Sequence, residues 1–256
     1  ERFGVAKGDR VAVLSQNNPE WCLAFWATVS QGAILVGLNG WWTTDEIEYG
    51  LQDSGAKVLV ADRKRFERIA GSLDAAPDLE HVFLVDCTAA DVGLDGDARI
   101  HTFDGLPGEP PSDFVDEEIA EDAPAVIFYT SGTTGRPKGA ISTHRSMIAN
   151  LQNTMYNAVA GAMTGGGALP DGGGGQNVSL FTSPLFHVSG CHSTLVVGLL
   201  AGLKLVMPTG RFTPEEALRL IQEHQVTVWA TVPTMVWRVC KHPDRHDYDT
   251  SSVKSV

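Results

Sequence analysis

The segment from Tyr129 to Gly139 carries residue types that bind a polyphosphate. It reads Tyr-Thr-Ser-Gly-Thr-Thr-Gly-Arg-Pro-Lys-Gly. Its glycines let the backbone bend so that several N–H groups point to one place, and its hydroxyl groups add neutral donors. Lys138 adds a mobile positive charge. Because converging N–H groups bind anions even in an acidic protein, this segment, here called the phosphate loop, predicts a site for the phosphates of a nucleotide.

Two common phosphate-binding motifs do not fit the phosphate loop. A Walker-type loop needs a second glycine five residues after the first, followed by Lys and then Ser or Thr. Counting from Gly132, that position is Pro137, and Gly139 follows Lys138. No Gly-x-Gly-x-x-Gly dinucleotide fingerprint occurs in 129–139 either. The remaining alternatives are a phosphate site of another kind and a surface hairpin rich in Gly and Thr.

The phosphate loop closely resembles the signature of the adenylate-forming superfamily. This superfamily includes acyl-CoA synthetases, aryl-CoA ligases, beetle luciferases and the adenylation domains of peptide synthetases. The resemblance implies that Thr130 contributes a Mg²⁺ ligand. It also implies that the β- and γ-phosphates of ATP are held by Ser131, Gly132, Thr133, Thr134, Gly135 and Lys138.

A second polar segment, 183–190, reads Ser-Pro-Leu-Phe-His-Val-Ser-Gly and follows a predicted strand. Ligands bind at the carboxyl ends of strands in open α/β sheets. His187 could donate a hydrogen bond to a carboxylate or a phosphate, or it could cap or pack the next helix. Acyl- and aryl-CoA ligases carry a similar Pro-x-Phe-His segment. The resemblance implies that His187 assists adenylation beside the substrate carboxylate, and that Phe186 and Gly190 shape the acyl pocket.

The same segment bears on the class of acid. Adenylation domains of peptide synthetases place Phe-Asp here, and the aspartate pairs with the α-ammonium group of an amino acid. This chain has Phe186-His187. An imidazole cannot supply that negative charge, so an amino-acid substrate is disfavoured.

A third stretch, 231–235, reads Thr-Val-Pro-Thr-Met and also resembles the family pattern. In relatives, the helix that follows lines the acyl channel. The resemblance therefore makes Met235, Val236 and Val239 candidate substrate contacts, and core packing is the equal alternative. The pair Trp41-Trp42 has no functional account at the level of the sequence.

Alternating strand and helix patterns must position these segments. Four local patterns predict helix starts. They are Asn18 followed by Pro19, the capping boxes that begin at Thr43 and Thr213, and Thr143 as a capping residue. A polar helix is predicted over 62–73. The alternation indicates a parallel sheet with helices on both faces. The predicted strands are 10–15, 33–38, 57–61, 82–85, 99–102, 125–130, 140–142, 178–182, 204–207 and 226–231.

The expected fold class is α/β, with two multilayer sheet lobes like those of the N-terminal region of an acyl-CoA synthetase. Residues 1–160 would form the first lobe, including the phosphate loop. The Gly-rich stretch 161–175 would be a linker loop, because its glycine density favours no regular element. Residues 176–256 would form an incomplete second lobe. Both ends of the chain look cut from a longer polypeptide.

The composition of the chain disfavours some classes of binding partner. The formal net charge of -12 disfavours nonspecific binding to nucleic acid and to an anionic membrane. No apolar run is long enough to span a bilayer. Four cysteines without a Cys-x-x-Cys pair favour reduced thiols and a cytoplasmic location. Oligomeric state is not readable from the sequence.

The resemblance implies an AMP-forming acid–thiol ligase. A carboxylic acid, expected to be a fatty acid, would attack the α-phosphate of Mg²⁺-ATP, and CoA would then displace AMP. Adenine- and ribose-binding segments and a C-terminal catalytic lysine are expected beyond this chain, so the chain alone is expected to be inactive. The alternatives are an acyl-AMP ligase or luciferase-like adenylating enzyme, and a phosphate-binding module without catalysis.

Overall fold

The computed structural model describes residues 3–106, 118–131, 135–164 and 175–256. The chain divides into two compact units, Glu1–Ser146 and Met147–Val256.

The first unit is built on a seven-stranded sheet with the order β5-β4-β3-β1-β2-β6-β7. All neighbours run parallel except β6 and β7, which are antiparallel. The central strands are almost fully buried, as expected for a sheet covered on both faces. The strands are β1 (Arg10–Leu14), β2 (Ile34–Gly37), β3 (Val58–Asp62), β4 (His81–Val85), β5 (Ile100–Thr102), β6 (Pro124–Thr130) and β7 (Lys138–Thr143).

The helices of this unit begin where the capping patterns predict. In α1 (Pro19–Ser30), the side chain of Asn18 accepts a hydrogen bond from the N–H of Trp21. In α2 (Thr44–Ser54), Thr43 and Glu46 form the predicted capping box, and Gly55 ends the helix in the left-handed region. The predicted fold class and these helix starts are therefore confirmed in this unit.

The helix predicted over 62–73 is wrong in length. Only α3 (Arg63–Phe66) is helical. Beyond it, the N–H groups of Ile69 and Ser72 bond to carbonyls three residues earlier, as in tight turns. A short 3₁₀ helix, Leu73–Ala75, follows. Further 3₁₀ helices in the unit are Ala90–Val92 and Phe103–Gly105.

Strand order brings two distant segments to one edge of the sheet. Strands β2 and β6 are adjacent and parallel, with Gly37 opposite Phe128. Their carboxyl ends therefore lie side by side, although about ninety residues separate them along the chain. Trp41 and Trp42, which follow β2, therefore line the same cavity as residues of the phosphate loop.

Helix α4 (His144–Thr164) begins in the first unit and continues into the second. The hydroxyl of Thr143 accepts a hydrogen bond from the N–H of Ser146, as its predicted capping role requires. The helix was predicted to end near residue 157, and it continues through Gly161 instead. The first residues of the predicted Gly-rich loop are thus helical. Residues 165–174 lie outside the described residues, and the division into lobes at 161–175 stays a prediction.

The second unit has a small parallel pair of strands flanked by helices. Its apolar core includes Leu180, Leu218 and Trp229. A continuous helix was predicted from 188, and its middle is π-helical. The elements are β8 (Val178–Leu180), α5 (Val188–Gly190), the π-helix Cys191–Val196, α6 (Val197–Leu200), β9 (Lys204–Val206), α7 (Pro214–His224), α8 (Pro233–Cys240) and the 3₁₀ helix Pro243–Asp247.

The strand predicted over 226–231 is wrong. Only Val228 forms strand-like bridges, to Ser179 on one side and Ser255 on the other. The hydroxyl of Thr227 accepts the N–H of Val178 at 2.9 Å, in the place of a carbonyl from a neighbouring strand. A side chain therefore takes over part of the pairing, and the ladder does not extend.

None of the helices in the described part of the chain, the 21-residue α4 included, has the length and apolar content of a membrane-spanning segment.

Candidate functional site

The phosphate loop connects two antiparallel strands. Thr130, the last residue of β6, pairs with Lys138, the first residue of β7. The hydroxyl of Thr130 donates to the carbonyl of Lys138 at 3.4 Å. Both residues and Ser131 are exposed, so their polar groups are available to a ligand from solvent. Gly135 has a φ of 94°, which favours glycine at this position. The predicted phosphate contacts Gly132, Thr133 and Thr134 lie outside the described residues.

Gly139 is required by the strand that leaves the loop. A Cβ atom at this position would lie 2.9 Å from Cγ2 of Ile127 and 3.7 Å from the ring of Tyr129. Gly139 pairs with Tyr129 across the ladder. The absence of a side chain therefore leaves room for the Ile127 methyl group, whereas the Tyr129 ring would be at an ordinary contact distance from an added Cβ.

A cavity of about 380 Å³ lies beside the loop within the first unit. Its wall combines the turn after β2 with both sides of the phosphate loop. Amide, hydroxyl, carboxylate, guanidinium and indole side chains thus line one cavity, which suits a polar ligand with an aromatic part. The lining residues are Asn39, Trp41, Trp42, Glu46, Tyr129, Thr130, Ser131, Gly135, Arg136 and Pro137.

The structure gives Trp41 and Trp42 different places. Trp42 is buried, and its ring meets that of Tyr129 edge to face at 5.3 Å. Gly50 of α2 makes room for it, because a Cβ there would lie 2.7 Å from the Trp42 ring. Trp41 is 61% exposed at the cavity. Both tryptophans line the cavity, but Trp42 is packed behind the loop, whereas the side chain of Trp41 is largely exposed.

Helix α2 also supplies polar groups to the loop, which motif-based reasoning missed. The hydroxyl of Tyr129 donates to Oδ2 of Asp53 at 2.8 Å. The hydroxyl of Tyr49 lies 3.3 Å from Oδ1 of Asp53 and 3.2 Å from the carbonyl of Pro137. The guanidinium of Arg136 lies 5.1 Å from the centre of the Tyr49 ring. Tyr49 and Asp53 are four residues apart, one helical turn, which is the only local signal that could have paired them.

The phenol of Tyr129 is held in its neutral, donating form. Burial raises its pKa far above the ordinary value, and the hydrogen bond to Asp53 and the negative charge of Asp53 raise it further. Each of these effects disfavours a phenolate. Tyr129 therefore acts as a hydrogen-bond donor at any physiological pH.

His187 lies in the second unit, immediately before α5. Its Nδ1 accepts a hydrogen bond from the N–H of Ser189 at 3.2 Å and lies 3.0 Å from the Ser189 hydroxyl. The ring therefore caps the helix, as one of the two sequence interpretations allowed. Because Nδ1 is an acceptor, the neutral ring carries its proton on Nε2. The side chain is exposed, so capping leaves Nε2–H as a donor toward solvent or substrate.

Packing requires a glycine at position 190. A Cβ at this position would lie 2.0 Å from the carbonyl oxygen of Pro184 and 2.9 Å from the N–H nitrogen of Leu185. No side chain fits there without moving the backbone of the 183–190 segment. Phe186 is half-buried in the same segment. The predicted roles of Phe186 and Gly190 in an acyl pocket stay predictions.

Met235 lies at the start of α8 and packs partly against the core of the second unit. Its sulfur accepts a hydrogen bond from the hydroxyl of Thr231 at 3.1 Å. Val239 is buried in that core. Core packing thus accounts for Val239, and the substrate contact predicted for Met235 stays a prediction.

The predicted site residues therefore fall into two groups. The phosphate-loop residues belong to the first unit, and Phe186, His187, Gly190 and Met235 belong to the second.

Known proteins that resemble this chain over almost its whole length include CoA ligases. The chain is 28% identical to a long-chain-fatty-acid–CoA ligase of Bacillus subtilis (strain 168), over 98% of this chain and 46% of that protein. It is 30% identical to 4-coumarate–CoA ligase 2 of Oryza sativa subsp. japonica, over 100% of this chain and 44% of that protein. The chain thus spans less than half the length of these curated relatives.

A solved structure supports the fold. ATP-bound MatB from Rhodopseudomonas palustris superposes with a TM-score of 0.71 at 25% identity, and the match covers 99% of this chain and 46% of that one. The family model described as AMP-binding enzyme matches residues 1–256. The chain belongs to the family of AMP-binding enzymes.

Proposed function

We propose that this chain provides the triphosphate site of an AMP-forming ligase that joins a carboxylic acid to CoA. The acid attacks the α-phosphate of ATP, which gives an acyl-adenylate and pyrophosphate. The thiol of CoA then displaces AMP. In this proposal Ser131, Gly135 and Lys138, together with 132–134, hold the β- and γ-phosphates. The relatives that are named as CoA ligases support this reaction class.

One observation carries the proposal: Thr130 and Lys138 are paired where the two strands join the phosphate loop, and Thr130 lines a polar cavity beside that loop. Negative charge grows on the pyrophosphate as it leaves. An ammonium group and hydroxyl donors that are already in place stabilise that charge without reorganising. Lys138 is exposed at the strand end and supplies such a charge within an otherwise acidic chain.

The residues present fit a Mg²⁺ ion in a limited way. Mg²⁺ prefers oxygen ligands and commonly combines one or two protein oxygens with substrate phosphates. Thr130 offers an exposed hydroxyl at the end of β6. Bound Mg²⁺ would neutralise phosphate charge there. Thr130 would offer its own hydroxyl oxygen to the ion, while Lys138 would approach the phosphates from the opposite strand.

His187 is proposed to act on the acid. Its Nε2–H can donate to a carboxylate or to an oxygen of the α-phosphate, because Nδ1 is already used by Ser189. This tautomer orients the acid without removing its negative charge, which the attacking oxygen must keep. Phe186, Gly190 and Met235 are proposed to form part of the acyl pocket.

The class of acid is proposed to be apolar. A long-chain fatty acid agrees with one relative, and an aromatic acid agrees with another. The Phe186-His187 pair lacks the carboxylate that would bind an α-ammonium group. We favour a fatty acid, and a panel of acids decides between the two.

The test is pyrophosphate release by the full-length protein with ATP, Mg²⁺ and a panel of acids, with and without CoA. The proposal expects release that depends on an apolar acid, and AMP formation that rises on addition of CoA. Release without any effect of CoA would favour an acyl-AMP ligase or luciferase-like enzyme. Absence of release with every acid would contradict the ligase function.

A further inference from the structure

The two strands of the phosphate loop are tied to helix α2 by one polar cluster, defined here as Tyr49, Asp53 and Tyr129. Asp53 accepts from the Tyr129 hydroxyl with one carboxylate oxygen, and its other oxygen lies 3.3 Å from the Tyr49 hydroxyl. The Tyr49 hydroxyl also lies 3.2 Å from the carbonyl of Pro137. The helix therefore contacts the incoming strand through Tyr129 and the outgoing side of the loop through Pro137.

Both contacts fall one residue before a predicted ligand group. Tyr129 directly precedes Thr130, and Pro137 directly precedes Lys138. A peptide unit is planar, so fixing the carbonyl of Pro137 also fixes the direction of the N–H of Lys138. Arg136 precedes Pro137 and is therefore restricted to extended conformations. The chain thus has fewer conformations in which it can enter the Pro137–Lys138 peptide.

The hydroxyl groups of the cluster have the geometry of a support, while the Tyr129 residue also lines the cavity. Tyr129 is half-buried, and its hydroxyl is directed to α2, where it also lies 3.3 Å from the carbonyl of Gly50. The Tyr49 ring lies under the guanidinium of Arg136 at 5.1 Å. These groups hold the loop from the side of the helix, while Thr130, Ser131 and Lys138 are exposed.

We propose that Tyr49 and Asp53 are positioning residues for triphosphate binding: they hold Tyr129 and Pro137 so that Thr130 and Lys138 keep the spacing a triphosphate needs. This proposal rests on the proposed function of the loop. It assigns α2 a role in substrate affinity beyond packing against the sheet.

The test uses Tyr49→Phe and Asp53→Ala in the full-length protein. Tyr49→Phe removes one hydroxyl and keeps the ring beneath Arg136. The matched control is Glu48→Ala, which lies on the same helix and changes the charge by as much as Asp53→Ala without removing a group of the cluster. The readouts are KM for ATP, KM for the acid, inhibition by tripolyphosphate and by AMP, and hydrogen exchange of the amides of Lys138 and Gly139.

A lost hydrogen bond of ordinary strength corresponds to about a threefold to tenfold change in an equilibrium constant. The proposal expects KM for ATP and the inhibition constant of tripolyphosphate to rise by about this factor in both variants. The inhibition constant of AMP and KM for the acid stay unchanged, because neither ligand carries β- and γ-phosphates. Exchange at Lys138 and Gly139 becomes faster, and Glu48→Ala behaves as wild type.

Two results would overturn the inference. Equal losses of affinity for AMP, the acid and tripolyphosphate would indicate general damage to the fold. Unchanged inhibition by tripolyphosphate, together with unchanged hydrogen exchange, would show that the cluster does not position the loop. A wild-type protein that releases no pyrophosphate would refute the proposed function. In that case faster exchange in the variants would still support the anchoring of the loop, and unchanged exchange would refute it.

Discussion

Thr130 and Lys138 are cross-strand partners at the last register position of β6 and β7, and the Thr130 hydroxyl donates to the Lys138 carbonyl at 3.4 Å. Their side chains thus start from opposite strands at the mouth of one loop. Neither residue is buried, so each can reach a ligand without unfolding the hairpin.

This pairing leads to the first prediction. Lys138→Ala should weaken ATP use severalfold, because it removes the positive charge from the mouth of the loop without disturbing the ladder, whose pairing uses backbone groups. The measurement is KM for ATP in the pyrophosphate-release assay. Lys241→Ala, an exposed lysine after α8, is the control and should leave KM unchanged. A wild-type KM in Lys138→Ala would remove this residue from the site.

The second prediction concerns His187. His187→Ala should lower the adenylation rate more than it raises KM for ATP, because its proposed partner is the reacting carboxylate and not the distal phosphates. The helix cap is lost as well, and this costs about 1 kcal/mol of stability. Single-turnover formation of acyl-adenylate measures the rate, and a denaturant titration measures stability. His187→Asn separates the two effects, since its side chain can still cap the helix.

The control for this prediction is His246→Ala, an exposed histidine in the last 3₁₀ helix. It should change neither the adenylation rate nor stability. A His187→Ala variant with wild-type adenylation would show that the ring serves only as a cap.

The third prediction concerns Gly190. Gly190→Ala should destabilise the second unit by about 1–3 kcal/mol or more, because the added Cβ would lie 2.0 Å from the carbonyl oxygen of Pro184. The clash is with backbone, so a rotamer change cannot relieve it. Gly161→Ala is the matched control: a Cβ there meets no atom within 4 Å, and Ala favours the α4 helix. Thermal unfolding compares the two, and equal melting temperatures for wild type and Gly190→Ala would contradict the packing.

The fourth prediction uses the cysteines, all four of which are free thiols in described residues. Burial, and secondarily the charge of Glu20, raise the pKa of the Cys22 thiol to about 11. The thiolate is the reactive form, so Cys22 should react at least about tenfold more slowly at pH 8 than the exposed Cys240. Kinetics with a disulfide reagent measure both rates in a variant with Cys87→Ser and Cys191→Ser, in which Cys22 and Cys240 are the remaining thiols.

The raised pKa of Cys22 also predicts how the stability of the fold changes with pH. The folded state keeps the Cys22 proton to a higher pH than the unfolded chain does, where a thiol titrates near pH 8.5. The stability that this group contributes is present below that pH and is lost as pH rises toward 11. Fast modification of Cys22 at pH 8 under native conditions would contradict the burial.

Local patterns predicted the helix starts and the loop, and they failed where long-range pairing decides. The side chains of Asn18, Thr143 and Thr213 each accept a hydrogen bond from the N–H three residues ahead. Thr43 instead donates its N–H and its hydroxyl to the carboxylate of Glu46. All of these interactions lie within one helical turn of sequence, so a local pattern can predict them. Over 226–231 the apolar pattern predicted a strand, but pairing needs a neighbour in register. There the Thr227 side chain takes the bond instead.

The candidate site divides in the same way. The residue types from Tyr129 to Gly139 determined that a phosphate can bind there, because glycines, hydroxyls and a lysine supply the donors within one short segment. Tertiary structure alone decided that Trp42, Tyr49 and Asp53 stand behind that segment. They lie more than seventy residues away in sequence and reach it because β2 and β6 are neighbours in the sheet. Strand order is set by the burial of the whole sheet, which no local spacing encodes.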